Sequence, residues 1–346
     1  MRYVSQDTYD NWFRGHPEPG DLIFVCKGSP GRVCLAPEDV NFCIAQDMVA
    51  VRADSTKVYN RYLLAALRTR EIQERIANLH VGTLIPHFKK GDFDKLLIPV
   101  PDWDVQVGIG NLYYFLSRKI DLNERMAATV DSLIASMYEL AVSDDENHEQ
   151  VTLGDVAAVN ERSTRPVLGG SLRYVDISSV SVGAYEWPER ISWSDAPGRA
   201  RRKASVGDTI WSTVRPNRRS HALVLDGDPE LVFSSGLAVL SPTGVGPALF
   251  YEATRTADFQ GYLESVAEGS AYPAVRANRF KDAPITLPSR GKREAFEKVA
   301  MSLRLRVHQG VVESRTLAAL RDTLLPQLMS GKLRIRDAEK IVEDAV

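Results

Sequence analysis

Gly20-Asp21-Leu22-Ile23-Phe24 returns later in the chain as Gly207-Asp208-Thr209-Ile210-Trp211. Arg68-Thr69 returns at the same offset as Arg255-Thr256, Gly82 and Pro86 as Gly269 and Pro273, and Phe93, Ile98 and Pro101 as Phe280, Ile285 and Pro288. The offset holds into a helical stretch, where Val130, Leu133 and Met137 match Leu317, Leu320 and Leu324. Sparse identities in one constant register imply two copies of a single structural unit, so function is expected in something read or held twice. The second copy opens near Val151–Val156, and its counterpart in the first would lie upstream of Met1. Copy one is therefore expected to be incomplete at its N-terminus, through either an upstream start or a natural truncation.

The chain has 346 residues, enough for two or three domains with real cores. Its 44% hydrophobic and 25% charged content is that of an ordinary globular protein. No run of 18 apolar residues and no basic-plus-apolar leader occurs, so no membrane contact and a cytoplasmic location are expected. Cys26, Cys34 and Cys43 lack CxxC spacing and a nearby histidine pair, which argues against zinc or any other metal. A net charge of −2 excludes a uniformly basic surface but not a local one.

Residues 1–103 read as a mixed α/β domain, with one amphipathic helix over about Tyr59–Asn78 and a last strand at Leu97–Pro101. Residues 104–142 hold no proline and place Ile109, Leu112, Leu116, Met126, Val130, Leu133, Met137 and Leu140 on three- and four-residue steps. That is the seam of one long helix, spanning roughly 55–60 Å at 1.5 Å per residue. Residues 143–150 (SDDENHEQ) read as an acidic linker, 151–289 as the second α/β domain, 290–331 as a second long helix and 332–346 as a tail. Phe296, Val299, Leu303, Leu317, Leu320 and Leu324 form the second seam. Both helices weaken at matching layers, Lys119 and Asn123 in one and Arg306 and Gly310 in the other, so the two are expected to pack antiparallel on each other. The fold class is α+β.

No phosphate-cradling GxxxxGK[ST], dinucleotide GxGxxG, HExxH or GxSxG occurs, nor an Asn-Pro-Pro-aromatic or Asp-Pro-Pro-Tyr segment that would grip a flipped base. No catalytic residue is assigned. Binding chemistry is present instead. Glu189–His221 concentrates Arg190, Arg199, Arg201, Arg202, Lys203, Arg215, Arg218 and Arg219 around the Gly207-Asp208 turn, and Tyr272, Arg276, Asn278, Arg279 and Lys281 follow Gly269. His87, Lys89 and Lys90 occupy the corresponding part of copy one. Loop arginines at DNA neutralise phosphates, which positions the protein, or take guanine edges in a bidentate pair, which specifies sequence; Asn278 could do the latter for adenine. A solvated charged loop is the plainer reading of any one of these residues.

The order of parts and the motifs Val151–Val156, Arg173-Tyr174-Val175-Asp176-Ile177, Gly207–Ile210, Gly269–Pro288 and Leu320–Leu333 (LRDTLLPQLMSGKL) resemble the specificity subunit of type I restriction–modification systems. The resemblance implies two target recognition domains, the first N-terminally truncated, separated by two long antiparallel coiled-coil-like helices. It implies a non-catalytic subunit that reads a bipartite target in double-stranded DNA. Two methyltransferase subunits and restriction/translocase subunits are the partners it implies, and they would carry S-adenosylmethionine, ATP and Mg²⁺. Leu324 and Leu325 lie about 100° apart on a helix, so Leu325, with Ile134 and Tyr138, is expected on a second face that docks the methyltransferase subunits. The alternatives are a degenerate scaffold that binds such partners without reading DNA fully, or the recognition half of a split enzyme from another DNA-modification defence system.

Overall fold

A computed structural model describes residues 3–13, 15–44, 46–79, 85–270 and 272–345, so Gly82 and Ala271 lie outside the described residues. The chain divides into two compact units, Met1–Glu124 with Val311–Val346 and, between them in sequence, Arg125–Gly310. The first unit opens with α1 (Gln6–Asn11), β1 (Leu22–Val25), β2 (Val33–Leu35), β3 (Met48–Val51), α2 (Asn60–Leu67) and α3 (Arg70–Leu79). A 3₁₀ turn at Lys90–Lys95 leads to the long helix α4 (Trp103–Ser143), which runs on into the second unit. There follow β4 (Glu149–Thr152), α5 (Leu153–Val156), β5 (Ala157–Val159), β6 (Ser171–Val175), β7 (Arg190–Ser192), β8 (Ala200–Arg202), β9 (Thr209–Ser212), β10 (His221–Leu223), β11 (Leu231–Ser234) and β12 (Leu237–Pro242). Then come α6 (Pro247–Ala253), α7 (Ala257–Ser265), α8 (Ala277–Lys281), β13 (Pro284–Leu287), the second long helix α9 (Arg290–Met329) and α10 (Ile335–Ala345).

The repeat read from sequence is a repeat of structure. β1, α2, α3 and α4 begin at Leu22, Asn60, Arg70 and Trp103, and β9, α6, α7 and α9 begin at Thr209, Pro247, Ala257 and Arg290, the same offset each time. The sheet order β2-β1-β3 reappears as β10-β9-β12, antiparallel throughout. Gly20 and Gly207 both take positive φ, and the buried Asp21 and Asp208 that follow accept from the backbone N–H three residues upstream, Glu18 and Ser205, at 2.7 Å. The second unit adds β5 to the sheet edge and lays a second sheet, β7-β6-β11-β8, on one face. Ile210, Ala222 and Val239 bury against Val175 and Phe233 of that layer, while the alternate residues Trp211, Ala238 and Leu240 enter a separate core with α6, α7 and the long helices.

In each unit the α4 and α9 segments pair antiparallel. In the first, Tyr113 meets Arg321, and Asn123 donates to Glu313 at 2.8 Å and Ser314 at 3.1 Å. In the second, Asp131 pairs with Arg304 at 2.7 Å and Tyr138 lies edge-on to Phe296. The apolar seam departs from the expected positions. Phe296 is buried as expected, but Leu133, Leu140 and Val299 are exposed, and Ile134, Tyr138 and Ala300 are buried instead. A strict heptad step drifts on a straight helix of 3.6 residues per turn, and the buried stripe follows the helix. Of the polar layer, Lys119 and Asn123 do meet α9, through Glu313 and Ser314.

Other boundaries differ from the sequence reading for local reasons. Tyr59–Asn78 is two helices, because Thr69 breaks the first and its hydroxyl accepts from Ile72 N–H to start the second; Thr256 does the same for Phe259. Leu97–Pro101 is not a strand, whereas its counterpart β13 is one because β4 pairs with it. The acidic 143–150 segment is not a loose linker: Asp145 is buried and accepts from Ser289 N–H at 2.7 Å, and Glu149 and Gln150 already belong to β4. Gly331 (φ 70°) caps α9, and the tail beyond it folds as α10, with Ala338 in a core shared with Tyr62, Ile109 and Leu328.

Two helical glycines make opposite predictions. A Cβ on Gly110 would lie 2.5 Å from the Tyr62 backbone nitrogen, where α4 crosses α2; nothing lies within 4 Å of one on Gly261, exposed in α7. Gly110→Ala should destabilise the chain by about 1–3 kcal/mol, and Gly261→Ala should stabilise it by about 0.5–1 kcal/mol. Urea denaturation of the two variants checks both signs.

Candidate nucleic-acid interface

The basic loop after β9 is sewn to the loop before α8. Arg215 N–H donates to Pro273 C=O at 2.7 Å, Val275 N–H donates to Thr213 C=O at 2.8 Å, and Val214 bridges Ala274. The same three links occur at the matching positions of the first unit: Gly28 N–H to Pro86 C=O at 3.0 Å, Phe88 N–H to Cys26 C=O at 2.8 Å, and the bridge of Lys27 with His87. The stitched pair of loops is thus a property of the repeated unit. Most of its side chains are not repeated; Arg32 with Arg219 and Pro86 with Pro273 are the exceptions.

In the second unit this loop pair carries Arg215, Arg218 and Arg219 beside Tyr272 and Arg276. The Arg215 guanidinium sits 4.5 Å from the Tyr272 ring centroid, and the ring is 69% exposed. Arg218 is exposed, Arg219 donates to Arg255 C=O at 3.1 Å, and Arg276 is paired with Glu268 at 2.8 Å. Asn278, Arg279 and Lys281 are exposed on the short α8, Arg279 lying 4.0 Å from Asp282. Arg199 is exposed, and its backbone is tied to the turn after β11: Ser235 N–H donates to Arg199 C=O, and Thr213 N–H donates to Gly236 C=O on the adjacent residue. These backbone links connect sequence positions that lie far apart.

The rest of the cluster is used internally. Lys203 is half-buried and its Nζ donates to the Leu231 and Pro229 carbonyls, with burial lowering its pKa, so it is a brace for β11 and not the expected free phosphate contact. Arg202 lies in the β8 ladder opposite Phe233, with its Nε buried and lacking a hydrogen-bond partner, and Arg201 bonds to the Ala200 carbonyl at 2.9 Å. In the first unit His87 is half-buried and Lys89 and Lys90 are exposed. Lys27 and Arg32, on the loop equivalent to 214–219, were not singled out from sequence; carrying the register of the repeat through the loop would have found both.

The expected docking residues are not at a surface. Ile134 is 0%, Tyr138 5% and Leu325 7% exposed. Ile134 and Tyr138 lie in the core of the second unit, where the Tyr138 hydroxyl donates to Thr286 C=O at 2.5 Å, and Leu325 packs with Tyr62 and Ile109 in the first. The apolar face outside the helix–helix seam is filled by each unit's own α/β part. Among the described residues no three His, Cys, Asp or Glu side chains gather to hold a metal, and no helix is long and apolar enough to cross a membrane.

Beneath the basic loop, β10 places His221 against Trp211 (ring centroids 4.7 Å apart) with its Nδ1 3.0 Å from the Tyr251 hydroxyl. Burial first, and the Arg255 and Arg219 charges second, push its pKa down to about 3. The folded imidazole therefore resists a proton that the unfolded chain accepts below about 6.5. Stability should be unaffected by this group above that pH and fall as pH drops from there toward 3. His221→Gln should show a shallower loss of Tm between pH 7 and 5 than the parent chain; equal slopes would contradict the assignment.

Residues 16–131 match the family model described as the type I restriction modification DNA specificity domain. No curated protein matches the chain. Among solved structures, the S subunit of a type-I restriction-modification system from M. genitalium is similar at 18% identity, over 91% of this chain and 84% of that one, with a TM-score of 0.60. An HsdS subunit from Thermoanaerobacter tengcongensis aligns at 18% identity over 91% and 82% of the two chains, with a TM-score of 0.33. At such identity the first likeness speaks for the fold.

Proposed function

From a chain that carries the type I restriction modification DNA specificity domain over residues 16–131 and has the fold of a type I S subunit, we propose that each of its two units reads one part of a bipartite duplex target. The observation that carries this reading is the twice-built loop pair, identical in its backbone links and different in most of its side chains. A read-out needs such a rigid mount with variable tips. Arg199, Arg218 and Arg276, with Asn278, Arg279 and Lys281 on α8, form the positive rim of the second unit, and Lys27, Arg32, Lys89 and Lys90 that of the first. Exposed cations of this kind neutralise phosphates and fix the register of the duplex.

In this reading the chain carries out no bond-making of its own. Methylation and cleavage fall to partner subunits, two methyltransferases and the restriction/translocase subunits, which would bind S-adenosylmethionine, ATP and Mg²⁺. With Ile134, Tyr138 and Leu325 in the cores, exposed helix positions such as Leu133, Leu140 and Val299 are the better candidates for contact with the methyltransferases.

Replacing Arg199 and Arg218 together by alanine should weaken binding to every duplex by a similar factor and lower the slope of log K against log salt by about one for each phosphate no longer held. Neither side chain supports a core, so Tm should hold. Fluorescence anisotropy on duplexes of unrelated sequence, over a salt series with and without the methyltransferase subunit, checks this; a parent chain that binds none of them under either condition would sink the DNA reading.

A further inference from the structure

Two residues of the stitched loop have a backbone that side chains avoid. Arg215 (φ 53°) and Arg219 (φ 55°) are in the left-handed region, which L-residues other than glycine rarely occupy. At the place of Arg215 the first unit has Gly28 (φ 82°), while the place of Arg219 is held by Arg32. The Gly28 amide makes the same hydrogen bond to a proline carbonyl that the Arg215 amide makes. That position is therefore buildable with glycine, at lower strain, and Arg215 is not there for the backbone's sake. Arg219 has a structural explanation, since its side chain ties the loop to the carbonyl at the start of the α6–α7 junction. Arg215 has none of that kind: its guanidinium lies over an exposed ring, Tyr272, whose counterpart in the first unit is Ile85. Strain kept at such a position without structural need is a mark of function.

We propose that Arg215, held against Tyr272, is the sequence-reading side chain of the second unit and takes a guanine edge in the major groove. The assignment rests on the DNA-reading function above and gives it a residue and a base. The chemistry is that of the planar fork. Five donors in a fixed plane match guanine O6 and N7, and stacking on the ring removes rotamer freedom before the duplex arrives, so less is lost on forming the pair. Arg218, three residues along, is exposed with no such support and suits a phosphate. Arg276 is held by Glu268 and Arg279 lies near Asp282. The first unit, with Gly28 and Ile85 at the equivalent points, has no guanidinium there and must read its segment with other groups.

The test is selection from a pool of duplexes with randomised positions, using the full chain in complex with its methyltransferase subunit, followed by sequencing of the bound fraction. The parent chain should select a bipartite motif containing guanine in one half. Arg215→Gly should fold with a Tm equal to or above the parent's, yet lose preference at one base position by about ten- to a hundredfold, with the other half of the motif intact. Arg215→Lys, which keeps the charge and loses the fork, should lose the same preference. An unchanged motif in Arg215→Gly, or full retention in Arg215→Lys, would overturn the proposal, as would a uniform loss across all duplexes, which is the behaviour of a phosphate contact. Absence of any motif with the parent chain would instead strike the DNA-reading function itself.

Discussion

The second unit is organised around four charges, three of which have little water to turn to. Asp131 on α4, Glu252 on α6, Arg255 at the α6–α7 junction and Arg304 on α9 form one cluster, with Arg255 and Arg304 each pairing with both carboxylates. Burial pushes the Asp131 carboxyl up, but the guanidinium groups of Arg255 and Arg304 outweigh it and hold its pKa below the usual value. An ion so placed is costly without its partners, so the cluster fixes how the two long helices and the α6–α7 corner meet more than it adds net stability. The loop that presents the basic rim hangs from the same corner, through the bond of Arg219 to the Arg255 carbonyl. Tyr251, under both guanidinium groups, carries the constraint on to His221 and the sheet. The first unit meets the same need differently. Its Arg68, at the place of Arg255, donates twice to the Val33 carbonyl and lies near Tyr113, so the corner is tied to the sheet by a single charge.

Constant spacing is the part of the fold that sequence gives away most readily. Glycines at positive φ, the Arg-Thr corner and the starts of helices recur because the backbone demands them, and the demand is visible in the residues. What is not visible is direction. Leu133 and Leu140 sit on a plausible seam, yet Ile134 and Tyr138 are the buried pair, because the stripe on a straight helix precesses and tertiary contact chooses among neighbouring apolar residues. The same ambiguity misplaced the docking surface, since a second apolar face on a helix can serve a partner or the helix's own domain.

The basic segment divides along similar lines. Its composition is legible, but whether a cation faces outward depends on strand pairing that composition does not encode. Lys203 turns inward because β8 runs antiparallel to β11 and carries it to the Leu231 carbonyl. Arg215 and Tyr272, far apart in sequence, become neighbours through the backbone links that join their two loops, among them the hydrogen bond of Arg215 to Pro273. The register of the repeat holds that information implicitly, since it matches Val214 to Lys27 and Ala274 to His87.

The left-handed backbone of Arg215, the proposed reading position, narrows what can be placed there. Glycine enters freely, asparagine and aspartate at modest cost, and β-branched residues hardly at all. Drift at Arg215 would thus run through a short alphabet, in which glycine leaves a silent tip and asparagine offers a bidentate match to adenine. Under the proposed role of Arg215, a single codon at this position would move the unit between guanine, adenine and no preference without disturbing a strand or a core residue. The mount is set by backbone links, and the vocabulary it admits is small.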